Sequence, residues 1–356
     1  MDKSDRTDIN ILSTEPLITP AQLLNKYPVT EQAAATVLSG RQQVKDILEG
    51  KDDRLIVITG PCSIHDEGLA LDYTEKLVEL SDQVKDELLV IMRVYFEKPR
   101  TTVGWKGLLY DPKLNDSFDI EEGLSLARSI LLKVADMGMY AGTEFLDPIV
   151  PQYLADLVSW GTIGARTTES QIHRQMASGL SMPVGFKNGT DGNTQIAVDA
   201  VVSSRSPHGF LGLDKDGQTA IVKTNGNPNG HLVLRGGSTG PNYSATYVAD
   251  AKKQLEGAGV TPNIIVDCSH GNSNKDHRNQ GMAFKEVVSQ RAGGNASVVG
   301  SMLESNINEG SQKLTENLND LSYGVSITDA CINWDETTEL LLWAHEALGQ
   351  SKTIKI

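Results

Sequence analysis

From Leu55 onward the chain alternates between short, wholly apolar runs and longer stretches with helical spacing. The first run, Leu55-Ile56-Val57-Ile58-Thr59, has no polar alternation, which marks a strand covered on both faces. Gly60-Pro61 ends it, because proline has no N–H to give to a ladder, and Cys62-Ser63-Ile64-His65 follows. The same pattern predicts further core strands near Leu88 to Val94, Tyr140 to Glu144, Ile163 to Arg166, Pro183 to Lys187, His231 to Leu234, Asn263 to Asp267 and Ser297 to Met302. Helices are predicted between them, from Leu69 through Val84, Glu121 through Met137, Pro151 through Trp160, Ser170 through Gly179, Asn193 through Val202, Ser244 through Gly257, Met282 through Ala292 and Asp335 through Leu348. Strand-then-helix units imply parallel pairing through right-handed crossovers. Eight of them predict an α/β chain closed as a (β/α)8 barrel.

Two segments stand outside that rhythm. Residues 1–50 read as an arm, extended around Ile9-Asn10-Ile11-Leu12, followed by a helix built from Leu23, Leu24, Ala33, Ala34, Val37 and Leu38. Near 205–225, Phe210-Leu211-Gly212-Leu213 and Gln218-Thr219-Ala220-Ile221-Val222 flank Asp214-Lys215-Asp216-Gly217, the signature of a hairpin inserted before the sixth core strand. The barrel proper then spans 51–356, as one domain with two additions.

Composition narrows the function. A formal charge of -14 over 356 residues argues against nucleic acid as a partner, since phosphate backbones require a broad basic surface. No apolar run reaches the ~20 residues of a membrane span, and the polar N-terminus lacks the apolar core of a secretory signal. The expected compartment is the cytosol. Cys62, Cys268 and Cys331 are far apart and form no Cys-x-x-Cys pair, so a disulfide framework is not their expected use.

Chemistry gathers at the strand ends: Cys62, Arg93, Glu144, Arg166, Lys187, Arg235, Asp267 with His270, and Glu304. Barrel closure would bring these to one mouth, where unpaired charges are costly and must pair with one another or hold a ligand. Arg93, Arg166, Lys187 and Arg235 would surround one small anion. Lys98-Pro99-Arg100-Thr101-Thr102 offers a second set of cations and hydroxyls, pointing to two anionic ligands. Cys62, His270, Glu304 and Asp329 mix soft sulfur, imidazole and carboxylate, a donor set for Zn, Fe, Mn or Co rather than Mg or Ca. Gly236-Gly237-Ser238-Thr239-Gly240-Pro241 reads as a plain turn before it reads as a phosphate cradle. His65 reads as a local hydrogen-bonder, and Cys268 and Cys331 as buried thiols.

At this point the residues match a known pattern. Gly60-Pro61-Cys62-Ser63-Ile64-His65, the block from Met92 to Gly107, Ile163-Gly164-Ala165-Arg166-Thr167-Thr168-Glu169-Ser170, Pro183-Val184-Gly185-Phe186-Lys187-Asn188-Gly189-Thr190 and Val266-Asp267-Cys268-Ser269-His270-Gly271-Asn272-Ser273 resemble the type I DAHP synthases of the enterobacterial and yeast kind. The resemblance implies condensation of phosphoenolpyruvate with erythrose 4-phosphate to 3-deoxy-D-arabino-heptulosonate 7-phosphate and phosphate, the entry to the shikimate pathway. It implies that Cys62, His270, Glu304 and Asp329 hold a divalent metal. Arg93, Lys98, Ala165, Arg166, Lys187 and Arg235 would bind phosphoenolpyruvate, Arg100 and Thr101 the aldose phosphate. Lys98 would donate a proton, and Glu144 would stand near the reacting water.

The resemblance also implies feedback by an aromatic amino acid. Asp147, Pro151, Gln152, Ser181, Phe210, Gly212 and Val222 match an effector pocket that Asp8 and Ile11 of a neighbouring subunit would close, in a homodimer or homotetramer. Gly212 stands where phenylalanine-sensitive relatives typically carry serine, so tyrosine is the expected effector. Pro148 departs from some relatives beside that pocket. The rival readings are a KDO 8-phosphate synthase acting on arabinose 5-phosphate, a metal-dependent phosphatase, and a non-catalytic amino-acid sensor. The Lys98 to Thr102 block favours the four-carbon aldose, and the intact donor set argues against the sensor.

Overall fold

The computed structural model describes residues 6–315 and 317–354; the first five residues of the arm lie outside them. Eight parallel strands close into a barrel: β1 (Leu55–Gly60), β2 (Leu88–Arg93), β3 (Ala141–Glu144), β4 (Trp160–Ile163), β5 (Val184–Lys187), β8 (Gly230–Leu234), β9 (Ile264–Asp267) and β10 (Val298–Glu304). The hairpin of β6 (Gly209–Leu213) and β7 (Thr219–Lys223) pairs antiparallel beside it. Helices alternate with the strands: α3 (Glu67–Val84), α4 (Ile120–Asp136), the single turn α5 (Pro151–Leu154), α6 (Gln171–Gly179), α7 (Gln195–Ser204), α8 (Ala245–Gly257), α9 (Gln280–Ala292) and α10 (Trp334–Ile354). Among the described residues no helix is long and apolar enough to cross a membrane.

Strand alternation divides the core in two. Leu55 and Val57 face the helices, whereas Ile56 and Ile58 enter the lumen with Leu89, Ile91, Trp160, Val233, Ile265 and Met302. Each fully buried aliphatic side chain contributes about 1.5–3 kcal/mol of apolar burial. Side chains fill the interior, which is therefore a core and not a pore.

The N-terminal segment forms two helices rather than one, α1 (Pro20–Lys26) and α2 (Glu31–Leu48). Pro28 separates them, since the residue before a proline avoids the helical region. Thr30 caps α2 by accepting from the Ala33 amide at 3.0 Å. Val44, Ile47 and Leu48 then pack with the luminal residues and cover the barrel's N-terminal end. Gly40 permits this approach, because a Cβ there would lie 2.7 Å from Ser159 Oγ.

One predicted stretch is corrected. The helix expected over Pro151 to Trp160 ends at Leu154, a 3-10 turn covers Ala155–Leu157, and the strand runs Trp160–Ile163 instead of beginning at Ile163. Leu154, Leu157 and Val158 have helical spacing, but Trp160 is needed in the lumen, and Arg166 consequently lies in the loop beyond the strand.

Trp160 Nε1 donates to His231 Nε2 at 3.0 Å, and His231 Nδ1 lies 3.1 Å from the Asn229 carbonyl. Burial lowers the His231 pKa to about 4, so its neutral form fits the core and the unfolded chain binds the proton more tightly. Stability is thus complete above the ordinary histidine value and declines as pH falls from 6.5 toward 4, by about 3 kcal/mol in all. Urea denaturation midpoints at pH 7 and pH 4.5 should show this loss, and His231→Gln should reduce it; an equal loss in both proteins would exclude His231 as the cause.

Candidate active site and metal centre

The C-terminal ends of the strands surround a cavity of about 390 Å³ whose walls include Lys98, Arg100, Glu144, Arg166, Lys187 and Arg235. Gly60 adopts φ +149, and a Cβ on it would press on the Arg93 backbone at 3.0 Å, so glycine lets β1 turn beneath Arg93. Arg93 does not line the cavity. It is 1% exposed, bonded to Glu304 Oε1 at 3.0 Å and stacked on the Tyr95 ring at 3.9 Å.

Cys62 Sγ, a Glu304 oxygen and an Asp329 oxygen lie within 4.8 Å of one another. His270 Nε2 is 3.8 Å from Glu304 Oε1. Its other ring nitrogen, Nδ1, lies 3.1 Å from Asp267 Oδ2 and 2.6 Å from Ser269 Oγ. A proton on Nδ1 leaves the Nε2 lone pair facing the carboxylate, the orientation that metal-binding histidines receive from a supporting acid. His270 itself sits at φ +57, a left-handed conformation that costs about 1–3 kcal/mol in a non-glycine residue and clusters at functional sites. Sulfur and two carboxylates within this space, with the His270 imidazole at their edge, suit a divalent transition metal, and these residues fit one.

The charges around this group support each other. Burial and Glu304 push the Cys62 thiol up to about 11. Burial alone would lower the Lys98 pKa, but Cys62, Glu304 and Asp329 outweigh it and hold the ammonium charged. Lys98 Nζ donates to Cys62 Sγ at 3.0 Å. Burial likewise opposes ionisation of Asp267, yet Lys187 and His270 keep its carboxyl well below the usual range. Lys187 Nζ bonds Asp267 Oδ2 at 2.9 Å.

Arg100, Arg166 and Arg235, by contrast, make no ion pair among the described residues. Arg166 donates to Thr101 Oγ1 at 3.0 Å, which ties the Lys98 to Thr102 loop to the strand-end cations. Burial, aggravated by Arg166, lowers the Arg235 pKa. Such a cluster is relieved by anionic ligands. Glu144 is 7% exposed and its Oε1 has no hydrogen-bond partner among the described residues, leaving an acceptor for a ligand or water. Ala165, next to Arg166, also lines the cavity.

The remaining predicted residues are placed as follows. The Gly236 to Pro241 segment is a closed turn, with Gly237 and Gly240 exchanging backbone hydrogen bonds, so the amides of Gly236, Gly237, Ser238 and Gly240 are spent on the chain. His65 departs from its reading: Nδ1 is buried with no partner among the described residues. Cys268 packs toward the helices with Sγ 3.1 Å from Ser301 Oγ, and Cys331 is buried. Phe210 faces Val222 across the hairpin, and a Cβ on Gly212 would meet Val222 at 2.7 Å. Asp147 Oδ2 accepts from the Tyr110 hydroxyl at 3.3 Å, Pro151 begins α5 with Gln152 exposed beside it, and Ser181 is exposed after α6. Asp8 and Ile11 stand exposed in the arm. The sequence reading gave no role to Asp267 as a support, and it overlooked Gln280, Lys275 and His277 on the cavity wall. Only Asp267 carried a signal, three residues before His270 at a strand end.

Comparison with known proteins shows the family. Residues 26–342 match the DAHP synthetase I family. The tyrosine-sensitive phospho-2-dehydro-3-deoxyheptonate aldolase of Escherichia coli (strain K12) is 50% identical over 356 residues, covering 100% of both chains. The phenylalanine-sensitive one from the same strain is 53% identical over 334 residues, 94% of this chain and 95% of that one. Among solved structures, the phospho-2-dehydro-3-deoxyheptonate aldolase of Francisella tularensis SCHU S4 superimposes with a TM-score of 0.93 at 46% identity, covering 96% of this chain and 99% of that one.

Gly164 makes room for Glu144, since a Cβ at Gly164 would fall 2.1 Å from Glu144 Oε1. Gly164→Ala should therefore displace the carboxylate and lower kcat at least tenfold while circular dichroism stays that of the parent. Unchanged kcat would mean that the position of Glu144 is immaterial to turnover.

Proposed function

The chain belongs to the DAHP synthetase I family, and on that premise we propose that its cavity condenses phosphoenolpyruvate with erythrose 4-phosphate to DAHP and phosphate. The carrying observation is the pair of features at one mouth: three arginines without an ion pair among the described residues, beside a Cys/Glu/Asp group with His270 at its edge. Arg166, Lys187 and Arg235, with the Ala165 backbone, hold phosphoenolpyruvate, while Arg93 supports that set from beneath. Arg100 and Thr101 take the phosphate of the aldose.

Cys62, His270, Glu304 and Asp329 would hold Mn, Fe, Co or Zn, whose chemistry when bound is Lewis-acid polarisation of the aldehyde carbonyl. Carbon 3 of the enol phosphate attacks that carbonyl. Lys98, kept charged among three acidic groups, gives the proton to the new hydroxyl. Glu144 accepts a hydrogen bond from the water that adds at carbon 2, after which phosphate leaves. The three cysteines are free, as befits a reducing compartment such as the cytosol.

Feedback by tyrosine is the regulatory part of the reading. Its support is the full-length match to a tyrosine-sensitive relative, arm included. Asp147, Pro151, Gln152 and Ser181 would complete the pocket, closed by Asp8 and Ile11 of a second copy in a dimer or tetramer.

Phosphate release from phosphoenolpyruvate should require erythrose 4-phosphate, fail with arabinose 5-phosphate, and disappear after EDTA until a divalent metal is restored. Release without any aldose would instead favour a phosphatase. Lys98→Met should lower kcat at least a hundredfold; turnover within threefold of the parent would remove Lys98 from the proton step. Steady-state assays should show inhibition by tyrosine, and inhibition by phenylalanine alone would overturn the effector assignment.

A further inference from the structure

Glu304 is the last residue of β10, and its backbone amide bonds no residue of β9. Successive residues of a parallel strand bond to opposite neighbours: the Ser305 amide bonds the Gly60 carbonyl on the β1 side, so Glu304 faces the β9 side. The last aligned pair there is Met302 with Asp267. Beyond it the chain leaves the sheet through the left-handed His270. Gln280 occupies the gap. Its Oε1 accepts from the Glu304 amide at 2.8 Å and its Nε2 donates to the Glu304 carbonyl at 3.0 Å. The side chain is fully buried, and both of its polar atoms are used on this one residue.

The same Glu304 carbonyl accepts from the Ile332 amide at 3.0 Å. Ile332 lies three residues beyond Asp329, and Gln280 begins α9 ten residues beyond His270. The Gln280 amide thus ties α9, which follows His270, to Glu304, and the Ile332 amide ties the Asp329 segment to the same carbonyl. We infer that Gln280 is a positioning residue for the metal centre: it takes the place of the absent β9 acceptor and fixes where Glu304 presents its carboxylate. This rests on Glu304 being a metal ligand, as proposed above. Loss of a group that orients a ligand typically weakens metal binding 10–100-fold.

The test is Mn(II) binding to the metal-free full chain, measured by titration and by the EPR spectrum of the bound ion. Gln280→Met, similar in volume but lacking both polar groups, should weaken Mn(II) at least tenfold and change the spectrum. KM for phosphoenolpyruvate at saturating metal should stay within threefold. Binding within twofold of the parent and an unchanged spectrum would overturn the inference. Gln280→Asn guards against a variant that does not fold. It keeps both polar groups on a stem one carbon shorter, so it cannot reach the amide and the carbonyl together, and it should also weaken Mn(II) at least tenfold; parent-like Mn(II) binding in a variant with the parent's circular dichroism would count against the role. Glu304→Gln separates the two levels. If it binds Mn(II) like the parent, the metal-site reading fails; if it loses Mn(II) while the Gln280 variants do not, only the positioning role fails.

Discussion

Arg93 and Glu304 meet at 3.0 Å with each 1% exposed, and the mouth of the barrel is built around that contact. They come from β2 and β10, the two strands flanking β1, so the pair exists only because the sheet closes. Removing one partner of such a pair costs about 3–5 kcal/mol, because the other is left charged and dry. Lys187 with Asp267 is a second pair of the same kind on the opposite arc, from β5 and β9. Together they fix two strand ends each, and they neutralise the cations that water cannot reach. Among the described residues the arginines above them are left without carboxylates, whereas Lys187 belongs to both sets, paired with Asp267 and lining the cavity.

Much of this was legible along the chain. The strands were visible because each is apolar throughout, and the hairpin because Asp214-Lys215-Asp216-Gly217 interrupts two β-rich runs. Arg166, Lys187, Arg235 and Glu144 were found because they follow those runs directly. The stretch from Pro151 to Arg166 was misread because a four-residue strand beginning with tryptophan leaves almost no periodic signal, while the leucines before it imitate a helix. Gln280 and the turn of His270 were beyond reach for a different reason. A side chain that replaces a strand partner has no spacing, and a left-handed residue is visible only once the backbone is traced. Gln280 also begins its helix earlier than the predicted start at Met282, so even its element was unassigned.

The hairpin and the arm share a second construction. The Ala21 amide of α1 bonds the Lys215 carbonyl at the hairpin tip at 2.8 Å, and Thr19 lies under Gly217. On the other side, Ser178 of α6 is 2.7 Å from Thr224 after β7. Leu211 and Ile221, opposed across the ladder, remain 81% and 74% exposed. A two-stranded ribbon of this size is marginal by itself, so its shape depends on the N-terminal segment at one end and the barrel helices at the other. A molecule that binds along the ribbon acts on both.

The covering of the barrel's N-terminal end by Val44, Ile47 and Leu48 bears on how this protein can be divided. Functionally the first fifty residues read as an appendage, but the last turn of α2 is part of the luminal core. Shortening the chain to its repeating strand-and-helix units would open the interior to water from below, directly under Ile56, Leu89 and Val299. Such an excised barrel would be a damaged molecule and not a minimal enzyme. Grafting this segment onto another barrel, or removing it to abolish regulation, would have to leave the α2 terminus in place, with any junction upstream of Val44.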